Sequence, residues 1–330
     1  MIFQLLVFCF VALPSQTILA STKDGVHSEP DHPEMVVLVV DKSKLRADLK
    51  TWPEEDSKAH HLVTFRIALG KSEGDKQIAG DNRTPEGIYF AQSFIDGSTL
   101  PAKYGPKAIP INFPNPLDQR AGKTGHGIWL HGVEQDTRIN EAKVTEGCVV
   151  FYNADIMALT RWLKPFQAVV IIGSTSDALN KPEDVTSLRG AAKGWAEAWA
   201  KRDLKGYVDK YAASFEFNGM GLKDYGEYKG RVFAGYKKMD VKLTDLRVFT
   251  HAKYGMTVVN QDFNGDERYV SRGRKVLYWQ RDATGWKIQS EVFEHRRLEF
   301  VSFNQAELTQ FTSTSPSAKY FTDVQSPTNL

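Results

Sequence analysis

The chain has 330 residues, of which 42% are hydrophobic and 25% are charged, and its formal net charge is +2 at pH 7. A chain of this length is expected to fold into two domains rather than one. Because the charge is nearly balanced and no basic stripe stands out, the sequence gives no electrostatic reason to expect nucleic-acid binding.

Residues 1–20 are an apolar run that a proline interrupts, and the run is too short for a comfortable membrane span. Its length suits a signal peptide, so we expect export with cleavage after Ala20; a buried N-terminal strand is the alternative. Residues 21–34 are polar, contain prolines and are typical of a linker. Cleavage also removes Cys9, which leaves Cys148 as the sole thiol of the mature protein.

Short strands separated by turns are predicted in the first half of the chain. Met35–Asp41 carries a β-branched run, and His61–Leu69 and Gly87–Gln92 are the next candidates. Gln167–Gly173 is expected to be the strand that closes this domain, which then spans residues 35–173. The pattern favours a mixed β sandwich or a barrel-like sheet.

The stretch Ser98–Gly125 holds several prolines and glycines and shows no period. Long irregular loops inside compact domains are usually functional, so we expect a lid or wall over an active site. Tyr104, Lys107 and Asn112 are candidate substrate contacts in this stretch. Ordinary surface packing is the alternative for each of them.

A histidine and a cysteine lie on two short apolar segments between His126 and Asn153. In the strand 127–131, Trp129 and His131 share one face by parity, so that face is expected to border a pocket and the other the core. His126 has the opposite parity and is either a neighbour of the pocket or a solvent-facing side chain.

The cysteine, Cys148, follows Gly147 and precedes a short apolar strand. The backbone N–H groups of Gly147 and Cys148 are candidate donors of an oxyanion hole, which stabilises a tetrahedral intermediate more than the ground-state amide. Downstream, Asn153 is expected to cap a helix over Ala154–Leu163.

This pairing suits a thiol nucleophile and its base. A nearby imidazole takes the thiol proton or stabilises the anion, so we expect His131 to lower the pKa of Cys148 well below the free value of ~8.5. Two alternatives stay open on the pattern alone: an inert core cysteine, and a zinc site formed by His126, His131 and Cys148.

The pattern of the second half of the chain predicts helices followed by strands. Helices are predicted over Asp184–Lys201, from a cap at Asp203 to Phe215, and over Tyr225–Met239. Four long strands are expected at Val241–Thr250, Met256–Phe263, Tyr269–Arg281 and Trp286–Phe300. This domain is placed at residues 184–303, after a linker at 174–183, and the polar residues 304–330 are expected to be a mobile tail.

Two motifs carry a resemblance to a known family. His131-Gly132, a loop and then Thr145-Glu146-Gly147-Cys148 is similar to the signature of L,D-transpeptidase (YkuD-type) catalytic domains, and Gly70–Phe90 is similar to the family's upstream block. The resemblance covers residues 35–173. Many members carry an arginine two residues after the cysteine, and this chain has Val150 there.

The second half resembles the nuclear-transport-factor-2-like fold, a cone with an aromatic-lined cavity. The expected fold class is therefore α+β: a mostly-β L,D-transpeptidase-type domain followed by a cone-shaped α+β domain. Six aromatic side chains are candidates to line the cone or simply to form its core: Trp195, Tyr211, Phe217, Tyr236, Tyr278 and Trp279.

The two-domain combination resembles L,D-carboxypeptidases of Gram-negative cell-shape control. It implies a periplasmic enzyme without a cofactor, acting on peptidoglycan stem peptides, in which Cys148 attacks, His131 is the base and the Gly132 carbonyl holds the other imidazole nitrogen. Trp129, Tyr104, Lys107, Thr145 and His126 are the expected substrate contacts.

Three outcomes remain open at this level. Water attacking the acyl-enzyme gives a carboxypeptidase, a second stem's amine gives a transpeptidase, and a domain without catalysis would be a wall-binding module. The second domain is expected to recognise the wall polymer, a protein partner or another copy of the chain.

Overall fold

The computed structural model of the chain describes residues 35–52, 60–300 and 305–325. The expected signal peptide and the linker at 21–34 lie outside these ranges. Within them, no helix has the length and apolarity that crossing a membrane requires.

The first domain is built on one ten-stranded mixed sheet with two helices. Its strands are β1 Met35–Asp41, β2 Arg46–Trp52, β3 His60–Gly70, β4 Gly87–Phe90, β5 Ile95–Asp96, β6 Lys107–Pro110, β7 Trp129–His131, β8 Lys143–Thr145, β9 Val149–Phe151 and β10 Val169–Gly173; its helices are α1 Pro116–Arg120 and α2 Asn153–Trp162.

The strand order is β4-β10-β1-β2-β3-β9-β7-β6-β5, and β8 pairs with β3. The pairs β1–β10, β3–β8 and β7–β9 are parallel. Strand β1 has the predicted bounds, since its continuous β-branched run is buried on both faces of the sheet. Strand β2 was not predicted, although Ala47 and Leu49 are fully buried in it.

The prediction that Ser98–Gly125 is one irregular lid is wrong. Strand β6 lies inside this stretch and pairs with β7, opposite the histidine strand. Helix α1 follows, started by a capping box in which the side chain of Asn115 accepts from two backbone N–H groups. Only the 3₁₀ turn Ala102–Tyr104 lies over the candidate site.

The second domain consists of helices packed on one face of a four-stranded antiparallel sheet. Its elements are α3 Pro182–Ala200, α4 Leu204–Val208, β11 Glu216–Phe217, β12 Met220–Gly221, α5 Leu222–Gly235, β13 Met239–Thr250, β14 Gly255–Gly265, β15 Tyr269–Asp282 and β16 Gly285–Glu294. Asp203 caps α4 as predicted, because its carboxylate accepts from Gly206 N. That helix ends at Val208, well before the predicted Phe215.

The cone interior of the second domain is a packed core with a polar centre. Trp195, Tyr211 and Trp279 are buried in it. The carboxylate of Glu291 lies at its centre and accepts from Tyr211 Oη at 2.9 Å and from Lys275 Nζ at 3.2 Å. Phe217 and Tyr236 are only partly buried against this core, and Tyr278 faces the first domain instead.

The two sheets share a hydrophobic core. Val37, Val39 and Ile171 of the first domain pack in one cluster with Met256 and Val276 of the second. Polar contacts tie the same interface, since Trp52 Nε1 donates to the Val248 carbonyl at 3.1 Å. The domains therefore form one continuous packed body over the described residues.

The prediction of a mobile tail is wrong for most of the C-terminal segment. Residues 305–325 form two helices, α6 Gln305–Thr314 and α7 Pro316–Gln325, which lie on the first domain. Leu308 is buried there, and the ring of Phe311 lies 5.2 Å from that of Trp162. Polar helices of this length are marginal alone, so tertiary contacts of this kind stabilise them.

Candidate active site

Strand pairing brings Cys148 and His131 to one face of the sheet. In the parallel pair β7–β9, His131 lies opposite Val150, and Cys148 precedes Val150 by two residues. Alternation therefore puts the cysteine and histidine side chains on the same face. Both line one cavity of about 100 Å³, whereas Ile128 and Leu130 point into the core.

The backbone fixes the orientation of the His131 ring. His131 is 5% exposed, and the Nδ1 of its ring donates to the Gly132 carbonyl oxygen at 2.5 Å. A carbonyl can only accept, so Nδ1 carries the proton and Nε2 keeps a free lone pair. Burial lowers the pKa of His131 to about 4, with smaller effects from the Gly132 bond, which raises it, and from Arg138 and Lys103, which lower it. The ring is neutral near pH 7 and can act as a base.

The prediction that the imidazole lowers the thiol pKa is wrong. Burial raises the pKa of Cys148 to about 11, and the N–H of Trp129, which donates to Sγ at 3.4 Å, offsets only part of this effect. The thiol donates to the Gly127 carbonyl at 3.6 Å, a bond that favours the protonated form. Because the histidine is itself neutral, it supplies no positive charge to stabilise a thiolate. The resting pair is a thiol and a neutral imidazole.

The turn before Cys148 is braced by Thr145. The Thr145 hydroxyl donates to the Cys148 carbonyl at 2.8 Å and accepts from Gly147 N at 3.1 Å. The predicted oxyanion role of Gly147 therefore fails in this conformation, since its N–H is already engaged, and the Cys148 N–H remains as the candidate donor. Thr145 was predicted as a substrate contact and does line the cavity, but its hydroxyl is hydrogen-bonded within this turn.

Glycine is required at position 147 by geometry. Its φ is +127°, and a β-carbon there would lie 2.7 Å from the Arg83 carbonyl oxygen. A close approach also explains Gly132, where a β-carbon would lie 2.4 Å from Asn153 Oδ1. The absence of a β-carbon thus lets the Arg83 backbone approach Gly147 and the Asn153 side chain approach Gly132, beside Cys148 and His131 respectively.

Aromatic and cationic side chains form the cavity wall. The ring of Tyr104 lies 4.8 Å from that of Trp129 and 5.0 Å from that of His131, so this predicted residue lies at the site. Charged residues that the sequence analysis missed complete the lining: Lys71, Lys103, Arg138 and Glu146. Three cationic side chains thus face one carboxylate around the thiol.

Arg138 brings a cationic side chain to the cavity, whereas the nearby Val150 is apolar. Val150 packs in a small apolar cluster with Val133 and Val144, while Arg138 reaches the cavity from the loop between the two motif halves and donates to the Val144 carbonyl at 3.0 Å. The only sequence signal was the single arginine between the two motif halves, and nothing in its spacing indicated which way it would point.

Several predicted contacts lie elsewhere. Lys107 Nζ pairs with the Asp96 carboxylate at 2.6 Å, and Asn112 Oδ1 accepts from Phe90 N at 2.6 Å. His126 is exposed and lines a separate depression beside Trp129. Asn153 does not cap α2, because its Oδ1 accepts from Val133 N at 2.9 Å instead.

The zinc alternative finds no support in this geometry, since His126 lies apart from the other two residues. Across the described ranges, no group of three or more His, Cys, Asp or Glu side chains is placed to hold a metal ion.

Comparisons with known proteins match both domains. A model described as the L,D-transpeptidase catalytic domain (YkuD) matches residues 36–172, and one described as the Cds6 C-terminal NTF2-like domain matches residues 187–292. A search of curated proteins returned no match.

Two solved structures resemble the chain over most of its length. Bd1075 from Bdellovibrio bacteriovorus is 25% identical with a TM-score of 0.68, covering 84% of this chain and 96% of that one. The helical cell shape determining protein Pgp2 from Campylobacter jejuni is 24% identical with a TM-score of 0.64, covering 79% of this chain and 92% of that one. Pgp2 has the same two-domain architecture.

Proposed function

We propose that this chain, whose first domain is an L,D-transpeptidase (YkuD-type) catalytic domain and whose second domain is NTF2-like, is a peptidoglycan L,D-carboxypeptidase. It removes the terminal D-alanine from tetrapeptide stems through an acyl-enzyme on Cys148. The observation that carries the proposal is the cationic wall of the cavity that holds the Cys148–His131 pair.

A carboxypeptidase must recognise the free carboxylate at the end of its substrate. Lys71, Lys103 and Arg138 line the small cavity beside the thiol, where a terminal carboxylate would be attracted and oriented. The charge therefore favours a stem with a free terminal carboxylate as the acyl donor, and we propose that water, rather than the amine of a second stem, then attacks the acyl-enzyme.

Acylation follows from the neutral resting pair. Sγ of Cys148 attacks the carbonyl carbon of the bond between the diamino acid and D-alanine while its proton moves to Nε2 of His131. A C–S bond forms, the C–N bond breaks, and Nε2 returns the proton to the leaving amine. Because the thiol pKa is about 11, this proton transfer accompanies attack rather than preceding it.

Deacylation uses the same base. Nε2, again unprotonated, takes a proton from water as the water oxygen attacks the thioester carbon. A C–O bond forms, the C–S bond breaks, and the proton returns to Sγ. The products are the tripeptide stem and D-alanine, with the enzyme back in its neutral state.

The remaining roles are part of the same proposal. Residues 1–20 would direct export to the periplasm, where the substrate lies. Pgp2 is described as determining helical cell shape, and we propose a corresponding influence on shape for this chain. The NTF2-like domain would recognise the wall polymer or a partner protein.

Product analysis of purified tetrapeptide muropeptides tests the activity. Wild-type protein should yield tripeptide and D-alanine, while a Cys148→Ala variant of equal stability should yield neither. Crosslinked dimers as the main product would instead make the chain a transpeptidase. If neither protein turns over the substrate but both bind sacculi, the chain is a non-catalytic wall-binding module.

A further inference from the structure

The C-terminal helices clasp a buried carboxylate of the first domain. Asp155, on the first turn of α2, is fully buried. Its Oδ1 accepts from the Ser315 hydroxyl at 2.7 Å, and its Oδ2 accepts from the Ser317 hydroxyl. Ser317 Oγ in turn accepts from Arg66 N of β3 at 2.8 Å. Two hydroxyls from the end of the chain therefore satisfy a charge that would be costly to bury unpaired.

Apolar and cation–π contacts hold the same two helices in place. Phe311 packs between Phe65 of β3 and Trp162 at the other end of α2. The Arg66 guanidinium lies 4.2 Å from the centre of the Tyr320 ring. The helices thus contact both ends of α2, while the serine–carboxylate clasp acts only on its first turn.

That first turn also holds the segment that carries the base. Asn153 Oδ1 accepts from Val133 N at 2.9 Å and lies beside Gly132, where an added β-carbon would come within 2.4 Å of it. One turn on, the side chain of Ile156 also lies beside Gly132, 3.3 Å from the position of an added β-carbon. Since the Gly132 carbonyl accepts from Nδ1 of His131, the placement of this turn bears on the orientation and tautomer of the imidazole.

We propose that Asp155, clasped by Ser315 and Ser317, is a positioning residue that fixes the first turn of α2 and, through Asn153 and Gly132, the catalytic tautomer of His131. The C-terminal helices then serve the reaction without touching the substrate. The expected effect on turnover rests on the proposed function. The expected effect on the tautomer of His131 does not.

The test compares a Ser315→Ala/Ser317→Ala variant with Ser313→Ala, an exposed serine of α6 whose hydroxyl bonds only the Gln310 carbonyl of its own helix. Ring ¹H–¹⁵N spectra, with the His131 signals assigned from a His131→Gln variant, report the tautomer directly. Spectra are taken well below each variant's unfolding midpoint, and Ser315→Ala alone serves if the double variant does not fold.

Wild type and Ser313→Ala should show the Nδ1–H tautomer of His131. The Ser315→Ala/Ser317→Ala variant, called the clasp variant below, should show a mixture of tautomers. Its kcat on tetrapeptide stems should fall about tenfold with KM little changed, since ground-state binding residues are untouched. Unchanged tautomer signals in a folded clasp variant would overturn the proposal and leave the clasp a stabilising contact only. If wild type cleaves no stem at all, the proposed function fails while the tautomer result still decides this inference.

Discussion

His131 donates its Nδ1–H to the Gly132 carbonyl at 2.5 Å, and this bond dictates which imidazole nitrogen faces the reaction. With Nδ1 engaged, Nε2 is the free acceptor, and burial keeps the ring neutral by lowering its pKa to about 4. The same burial raises the pKa of Cys148 to about 11. Both members of the pair are therefore neutral at rest, and in the proposed mechanism the thiol loses its proton only as it attacks the carbonyl.

Alkylation of Cys148 by iodoacetamide should report this raised pKa. Because only the thiolate reacts, the rate should keep rising with pH from 7 to 10 and show no plateau near neutrality. A His131→Gln substitution should change alkylation little, while it lowers turnover by about 10²–10⁴ because the base is lost. A rate plateau below pH 8 that disappears in His131→Gln would contradict the neutral pair and indicate a thiolate–imidazolium pair instead.

Gly147→Ala should disable the site through its backbone. The new β-carbon would lie 2.7 Å from the Arg83 carbonyl in a conformation with φ of +127°, so the turn carrying Cys148 must shift. We expect a loss of stability of about 1–3 kcal/mol and turnover below detection. Gly122→Ala is the matched control: its φ is +72° but the space is open, so it should lose stability and keep activity.

Arg138→Gln should weaken recognition of the terminal carboxylate. Losing one charge from the cavity wall is expected to raise KM about tenfold, roughly 1.4 kcal/mol, with a smaller change in kcat. Arg161→Gln, on the exposed surface of α2, is the control and should behave as wild type. For a stem whose D-alanine ends in an amide, wild type and Arg138→Gln should become equally poor. If the two proteins still differ on the amidated stem, Arg138 does not recognise the terminal carboxylate.

Acid should destabilise the fold through two buried histidines. Burial lowers the pKa of both His131 and His251 to about 4, and His251 Nε2 is hydrogen-bonded to the Ile172 carbonyl at 3.0 Å across the domain interface. The unfolded chain binds more protons than the folded one between pH 6.5 and 4, so stability present above pH 6.5 is lost as the pH falls through this window. Each histidine accounts for a loss on the order of 3 kcal/mol.

Urea unfolding at several pH values measures this loss. A His251→Gln variant, which keeps a donor for the Ile172 carbonyl, should remove about half of the pH dependence in the window. If the variant and wild type lose stability in parallel from pH 6.5 to 4, the buried imidazole at the interface is not its source.

Local patterns in the sequence predicted strand faces and strand bounds well. The alternation of residues 127–131 placed His131 and Ile128 on opposite faces, and the β-branched run of β1 gave its bounds, because both depend on neighbours along the strand. Long-range features were missed. Arg138 enters the cavity from a loop, and the Gly147 N–H is taken by a side chain two residues away, neither of which periodicity reports.

The C-terminal helices show more clearly that local sequence patterns do not predict long-range contacts. Residues 305–325 carry few apolar side chains, so composition favours a mobile tail. Their order depends on Phe311 meeting Trp162 and on Ser315 meeting Asp155, which is 160 residues away in the chain. A sequence can indicate such a segment's polarity but not the buried carboxylate that its serines satisfy.

Capture of the acyl-enzyme tests the central claim most directly. Wild-type protein mixed with tetrapeptide muropeptide, quenched in acid and weighed intact by mass spectrometry, should carry one tripeptide-stem adduct that maps to Cys148 and is released by hydroxylamine. The Cys148→Ala variant should carry none and release no D-alanine. D-Alanine release by Cys148→Ala at the wild-type rate, or an adduct on another residue, would contradict the account.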